Sequence, residues 1–216
     1  MHIHNFDNTN SVLNTFIAEI RDQNIQKDSM RFRRNIERIG EILAYEMSKQ
    51  AHFTNKDVQT PLGIKSMDLI ADKMVLCSIL RAGLPLHRGV LNYFDKTENA
   101  FISAYRKHNK DGSFDIKVEY FASPSLDNKT LILADPMLAT GQSLVSTFNS
   151  LTSHGKPKEI HIFAVIASKE GVAYITKHLP EHTHLWIATV DDVLNEKGYI
   201  IPGLGDAGDL AFGAKL

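Results

Sequence analysis

Cysteine is almost missing from this chain: Cys77 is the single one in 216 residues. No internal disulfide can form, which fits a reducing compartment and makes the cytoplasm the expected location. Charge of one sign is missing too. With 24 Lys+Arg against 25 Asp+Glu and a formal net charge of −1, there is no global attraction to nucleic acid or to anionic membranes, so an anionic ligand has to be held locally. No stretch approaches the roughly 18 consecutive apolar residues of a membrane span. The opening MHIHNFDNTN has no basic segment leading into an apolar one, so no signal peptide is expected. Repeats, low-complexity tracts and a recognisable linker are also absent, and the expectation is one domain over residues 1–216. What is present is a 43% hydrophobic fraction, enough for a sizeable core.

Two early segments, 9–23 and 29–50, read as helices. In the second, Ile36, Ile39, Ile42, Leu43 and Met47 recur at helical spacing. The cluster Arg31, Arg33, Arg34 reads as a solvated or subunit-facing surface. After TNKDVQTPLG, a strand pair or loop, the pattern becomes an alternation. KMVLCSIL, NAFISAY, KTLILAD, EIHIFAVIA and HLWIATV are short, β-branched and apolar on both faces, as buried strands of a parallel sheet are. Helices are expected over 84–94, 142–154 and 169–178. Such an order predicts an open α/β sheet whose ligands bind beyond the carboxyl ends of the strands. One connection differs: RKHNKDGSFDIKVEYF carries the turn dipeptide Asp111-Gly112 between alternating residues and reads as a hairpin, a cover over the site.

The segment LILADPMLATGQS is the most informative. An apolar strand leads to Asp135, then a loop, then Thr140-Gly141-Gln142-Ser143 at the start of an amphipathic helix. Unpaired amides and the positive helix end suit a phosphate there, with hydroxyls from Thr140 and Ser143 and close backbone approach at Gly141. It is not a Walker loop, since no lysine stands where that motif requires one. On these residues alone a plainer reading stays open, in which Thr140 and Ser143 cap the helix and Asp135 orders the loop. Arg81, emerging from strand 73–80 ahead of Ala82-Gly83, is a second candidate, because a guanidinium pairs bidentately with phosphate oxygens.

Near the end, IIPGLGDAGD places Gly203, Gly205 and Gly208 in G-x-G-x-x-G spacing. A dinucleotide fingerprint needs a strand before, a helix after and an acidic residue about 20 positions on. Leu216 follows Gly208 too soon for that. A glycine-rich run can instead bring main-chain N–H and C=O groups against a flat polar ring.

Together these motifs resemble the type I phosphoribosyltransferases. Strand, acidic residue, loop and Thr-Gly match that family's signature for phosphoribosyl diphosphate (PRPP). The Asp-Pro-Met-Leu-Ala-Thr-Gly form and LNEKGYIIPGLGDAGDLAFG are similar to the uracil phosphoribosyltransferases in particular. The resemblance implies a parallel sheet flanked by helices, with N-terminal helices, a β-hairpin flap and a C-terminal base-binding loop. It implies uracil, PRPP, UMP and diphosphate as reactants. PRPP contacts then fall on Arg81, Arg106, Asp135, Pro136, Met137, Leu138, Ala139, Thr140, Gly141, Gln142, Ser143 and Asp206. Uracil contacts fall on Ile200, Gly205, Asp206 and Ala207, and Asp135, Arg81 and Asp206 are the expected catalytic set. Mg²⁺ is expected to be held mainly by PRPP, a homo-oligomer is implied, and activation by a purine nucleotide is left open. Gln142 stands where the family commonly has glycine, and a single Asp135 replaces the usual acidic pair.

Several features are set aside. His178, His182 and His184 read as surface histidines, Cys77 as a core residue, and Lys107, Lys110 and Lys117 as a solvated flap face. Asp191 ends a strand where it could orient neighbouring loops. A regulator that binds RNA on the same fold is disfavoured by the neutral charge and the lack of a basic, aromatic-bearing stripe.

Overall fold

The computed structural model describes residues 1–108 and 114–215, the side chains of 104–119 lying outside that description. The chain begins with strand β1 (His2–Asn5), then helices α1 (Val12–Arg21) and α2 (Ser29–Ser48). Both helices start where capping chemistry puts them. Ser11 accepts the Leu13 N–H and closes a capping box with Asn14, and Asp28 accepts from the amides of Met30 and Arg31. An antiparallel pair follows, β2 (Phe53–Thr60) with β3 (Gly63–Ile70).

The alternating part then runs β4 (Met74–Leu80), α3 (Gly83–Leu91), β5 (Glu98–His108), β6 (Phe114–Ala122), β7 (Thr130–Ala134), β8 (Met137–Leu138), α4 (Gln142–Leu151), β9 (Glu159–Ser168), α5 (Lys169–His178) and β10 (Thr183–Asp191). A two-stranded piece, β11 (Val193–Leu194) with β12 (Ile200–Ile201), precedes the last helix, α6 (Ala207–Phe212). Among the described residues the main sheet has the order β1-β10-β9-β7-β4-β5-β6, with β8 beside β9. All its pairings are parallel except β5 with β6, the hairpin expected from the sequence.

Side-chain alternation builds two cores. In β4, Met74 and Leu76 join Ile36, Ile39 and Leu43 of α2 and Leu86 and Val90 of α3 on one face. Val75, Cys77 and Ile79 join Leu144, Phe148 and Leu151 of α4 and Ile175 of α5 on the other. Period-two strands with both faces covered explain the near-continuous apolar runs. Burial pushes the Cys77 thiol up to about 12, so it stays protonated and serves as a small core side chain.

The topology also picks out one place on this sheet. From β4 the crossover through α3 leads outward to β5, and from β7 the crossover through α4 leads the opposite way to β9. Neighbouring strands β4 and β7 therefore flank a switch point, where the following loops part and leave a crevice at the carboxyl ends.

Two features were not read from the sequence. Strand β1 docks on the sheet edge beside β10, with His2 opposite His184 and His4 opposite Trp186. His184 is consequently not a free surface histidine: it stacks on His2 and His161, with ring centroids 4.7 and 5.0 Å away. The arginine cluster also divides. The exposed Arg31 binds Glu19 and the exposed Arg34 binds the buried Glu37, while Arg33 turns inward, donating to the Ala211 carbonyl at 2.6 Å.

Candidate active site

Arg81 and Asp135 leave the two strands that flank the switch point, each one residue beyond its strand. Arg81 is half-buried, and the peptide bond before it is cis. Its Nη2 donates to Asp209 Oδ1 at 2.7 Å and its Nη1 to the Gly213 carbonyl at 3.2 Å. The arginine thus joins the β4 loop to the C-terminal segment. Asp209 was not among the residues expected from the sequence. The only signal for it was the second acid of GDAGD, which lies within the matched motif.

The 135–143 segment is more ordered than a loop. Asp135 Oδ1 accepts the Met137 N–H at 3.2 Å, so part of the plainer reading holds for this residue. Pro136 then gives its carbonyl to the amides of Val165 and Ile166, and Met137–Leu138 form β8 against β9 instead of the irregular segment expected. The cap of α4 falls on Gly141, at φ +76°, and not on Thr140 or Ser143. A glycine cap brings no side chain to the first turn. Amides 142–144 precede the first intrahelical bond, Val145 N–H to Gly141 O at 3.1 Å, so the turn retains the donors and dipole end that attract an anion.

What holds this segment in place comes from the next crossover. Ser168, fully buried at the end of β9, donates to the Ala139 carbonyl at 2.6 Å and accepts the Gly171 N–H at 2.8 Å. A Cβ at Gly171 would lie 2.2 Å from the Ala139 carbonyl oxygen, closer than any real contact. The phosphate-type turn is therefore seated on α5 through a glycine, and neither Ser168 nor Gly171 carried a sequence signal.

The C-terminal segment is the one that Arg81 meets. Gly203 and Gly205 adopt φ of +54° and +94°. Ile200 has its side chain in the core, as do Leu204 and Ala207. The run does not stay a loop, since α6 begins at Ala207, with Asp206 as its cap accepting the Asp209 N–H at 2.9 Å. Burial pushes the Asp206 carboxyl up, but the Asp209 amide and the Lys215 ammonium, 3.2 Å from Oδ2, outweigh it and hold the group below the usual range. Asp206 is thus ionised near neutrality. A Cβ at Gly208 would lie 3.2 Å from Asp206 Oδ1 and 3.6 Å from Arg81 Nη2, which puts these two expected residues side by side. Arg106 and the flap lysines lie outside the residues whose side chains are described. Among the described residues, no three His, Cys, Asp or Glu side chains form a metal-holding group. No helix among them is long and apolar enough to cross a membrane.

The comparisons agree with this geometry. Residues 8–214 match the family model for uracil phosphoribosyltransferase. A uracil phosphoribosyltransferase of Porphyromonas gingivalis is 54% identical over 206 residues, covering 95% of both chains. Among solved structures, the AQ2163 protein of Aquifex aeolicus superposes with a TM-score of 0.87 at 27% identity over 98% of this chain and 99% of that one. A hypoxanthine phosphoribosyltransferase of Staphylococcus aureus shares the fold, with a TM-score of 0.51 at 16% identity over 74% of each chain. A mostly parallel sheet with helices on both faces, and motifs that meet at one crevice, are thus accompanied by sequence identity over nearly the whole length: the chain belongs to the uracil phosphoribosyltransferase family.

Proposed function

We propose that the chain transfers the phosphoribosyl group of PRPP to uracil, giving UMP and diphosphate. The observation that supports this best is the switch point itself. On one side stands Arg81, and on the other the amide turn capping α4. A sugar carrying a 5′-phosphate and a diphosphate needs two such anion holders, one at each end.

In this reading the 5′-phosphate sits on residues 138–143, the ribose hydroxyls face Asp135, and Arg81 takes the diphosphate, helped by Arg106. Uracil lies against 200–207, with Ile200 offering main chain because its side chain is in the core. The uracil N1–C1 bond forms as the C1–O bond to diphosphate breaks, with the electron pair leaving on the diphosphate oxygen and the N1 proton passing to solvent. Charge develops on the leaving oxygens and on C1, so fixed donors and a bounding carboxylate act where it appears. Arg81 stabilises the leaving group, and Asp206 stands beside it on the ring side. Diphosphate has to displace Asp209 from Arg81, so the pair seen here is a ready-made place-holder.

The carboxylates at the site are Asp135, Asp206 and Asp209; the first two accept main-chain amides and the third the Arg81 guanidinium. That donor set fits Mg²⁺ held mainly by PRPP oxygens and water, with Asp206 available to its shell. The ion would neutralise diphosphate charge. The cytoplasm, a single domain over 1–216 and a homo-oligomer complete the reading. The last is favoured by Leu62 in the β2–β3 turn and by Ile64 and Met67 on β3, apolar yet exposed.

The test is nucleotide formation from PRPP and a panel of uracil, cytosine, orotate and hypoxanthine. UMP from uracil, with the other bases slower, is expected. Preference for orotate or hypoxanthine would overturn the base assignment, and no turnover with any base would overturn the activity.

A further inference from the structure

We propose that Arg21 is a positioning residue for uracil: through Asp191 and Gly203 it fixes the entry to the base-binding run. The inference rests on the reading of 200–207 as the uracil wall and adds a residue far outside it.

Arg21 ends α1, where a cation complements the helix dipole. Its Nη1 donates to Asp191 Oδ2 and its Nη2 to Asp191 Oδ1, both at 2.8 Å, a parallel fork on one carboxylate. The same Nη1 donates to the Gly203 carbonyl at 3.1 Å, while Asp191 Oδ2 accepts the Gly203 N–H at 2.9 Å. Both main-chain polar groups of Gly203 are therefore held by this one ion pair. Nη2 also reaches Thr189 Oγ1 at 3.3 Å, and that hydroxyl donates to Asp7 Oδ1 at 2.8 Å. The pair is well shielded, with Arg21 22% and Asp191 7% exposed.

The consequence for binding follows from where Gly203 stands. It stands two residues past the end of β12, where the chain turns, at φ +54°, into 204–207. A main chain that reads a base edge has to be placed within about 0.5 Å, because backbone donors cannot swing to compensate as side chains do. Leu204 and Ala207 anchor the run by burial, which is not directional. The orientation of the peptide entering it is set by the Arg21–Asp191 pair.

The experiment measures KM for uracil and for PRPP, with kcat and thermal midpoints, in the full chain and in Arg21→Ala, Arg21→Lys, Asp191→Asn and Gly205→Asn. Arg21→Ala is expected to raise the uracil KM about tenfold or more, the range of a lost charge-assisted hydrogen bond, and to leave the PRPP KM within about twofold. Arg21→Lys keeps the charge but loses the fork, so its uracil KM should be intermediate, and added methylguanidinium should lower the uracil KM of Arg21→Ala. If Arg21→Ala does not fold, the split in Arg21→Lys and Asp191→Asn decides. A uracil KM unchanged in both Arg21 variants, or uracil and PRPP KM rising in parallel, overturns the inference. Gly205→Asn tests the underlying wall, since no atom lies within 4 Å of a Cβ placed there. If it leaves the uracil KM unchanged, the wall reading falls. If it raises that KM while the Arg21 variants do not, only the role of Arg21 falls.

Discussion

Replacing Ser168 by alanine deletes one oxygen that both caps α5 and holds the phosphate-type turn. Its Oγ accepts the Gly171 N–H at 2.8 Å and donates to the Ala139 carbonyl at 2.6 Å, and the residue is fully buried. Loss of a helix cap costs about 1 kcal/mol. An acceptor left without its buried donor adds about 1–2 kcal/mol, toward the low end because Ala139 is only half-buried. The total is about 2–3 kcal/mol, a fall in thermal midpoint of about 5–10 °C for a chain of this size. The functional share is separable. Ala139 lies on the 138–143 wall, so loosening it should raise the PRPP KM about tenfold while the uracil KM, set by the opposite wall, stays within about twofold. Calorimetry or a dye-based melt, with initial rates at varied PRPP and uracil, measures both. An unchanged PRPP KM despite the expected loss of stability would refute the claim that α5 seats the phosphate turn. A uracil KM that rises as much would refute the separation of the two walls.

The remaining predictions concern charge. His161 Nδ1 accepts the Trp186 indole N–H at 3.1 Å, so its own proton sits on Nε2, and burial pushes its pKa down from 6.5 to about 3. Because the folded pKa is lowered, the unfolded chain takes the proton first, and stability contributed by neutral His161 is lost as pH falls below 6.5. The slope is about 1.4 kcal/mol per pH unit, or about 2 kcal/mol by pH 5, and His161→Gln, which keeps an acceptor for Trp186, should flatten it in urea melts. An identical slope in that variant would show that His161 is not a source of the acid sensitivity. Arg81→Ala should cut kcat/KM for PRPP about 100-fold or more, with Arg81→Lys restoring part of it, since a point charge cannot replace a fork. Wild-type diphosphate release in Arg81→Ala would remove the clamp assignment.

Strands β4, β5, β7, β9 and β10 of the main sheet were legible because their cores run apolar on both faces, which is what burial between two helix layers requires. Strand β1 was not, because HIHN is polar and mostly exposed, and its pairing partner lies at His184–Ile187 near the other end of the chain. The helix starting at Gln142 was readable from Gly141, but the support from Ser168 and Gly171 was not. A serine ending one strand and a glycine in the next helix become meaningful only when β8 lies beside β9. The glycine-rich ending gave a partial view. Its spacing signalled close backbone approach, yet α6 forms within it, capped by Asp206, and Asp209 meets an arginine that stands 128 positions earlier.

Local chemistry in the sequence therefore determined most of the elements, the two candidate anion-holding segments and the family, because periodicity, turn residues and contiguous motifs act over a few residues. Tertiary structure alone decided which of these elements meet. The switch point between β4 and β7 arises from crossovers of opposite direction, and it brings Arg81 and Asp135 to one crevice. The pair Arg21–Asp191, separated by 170 positions, holds Gly203 through an ion pair that exists only once α1, β10 and the C-terminal run share one edge of the sheet. Directional contacts between distant segments depend on placement to within an ångström, and linear order carries no record of that.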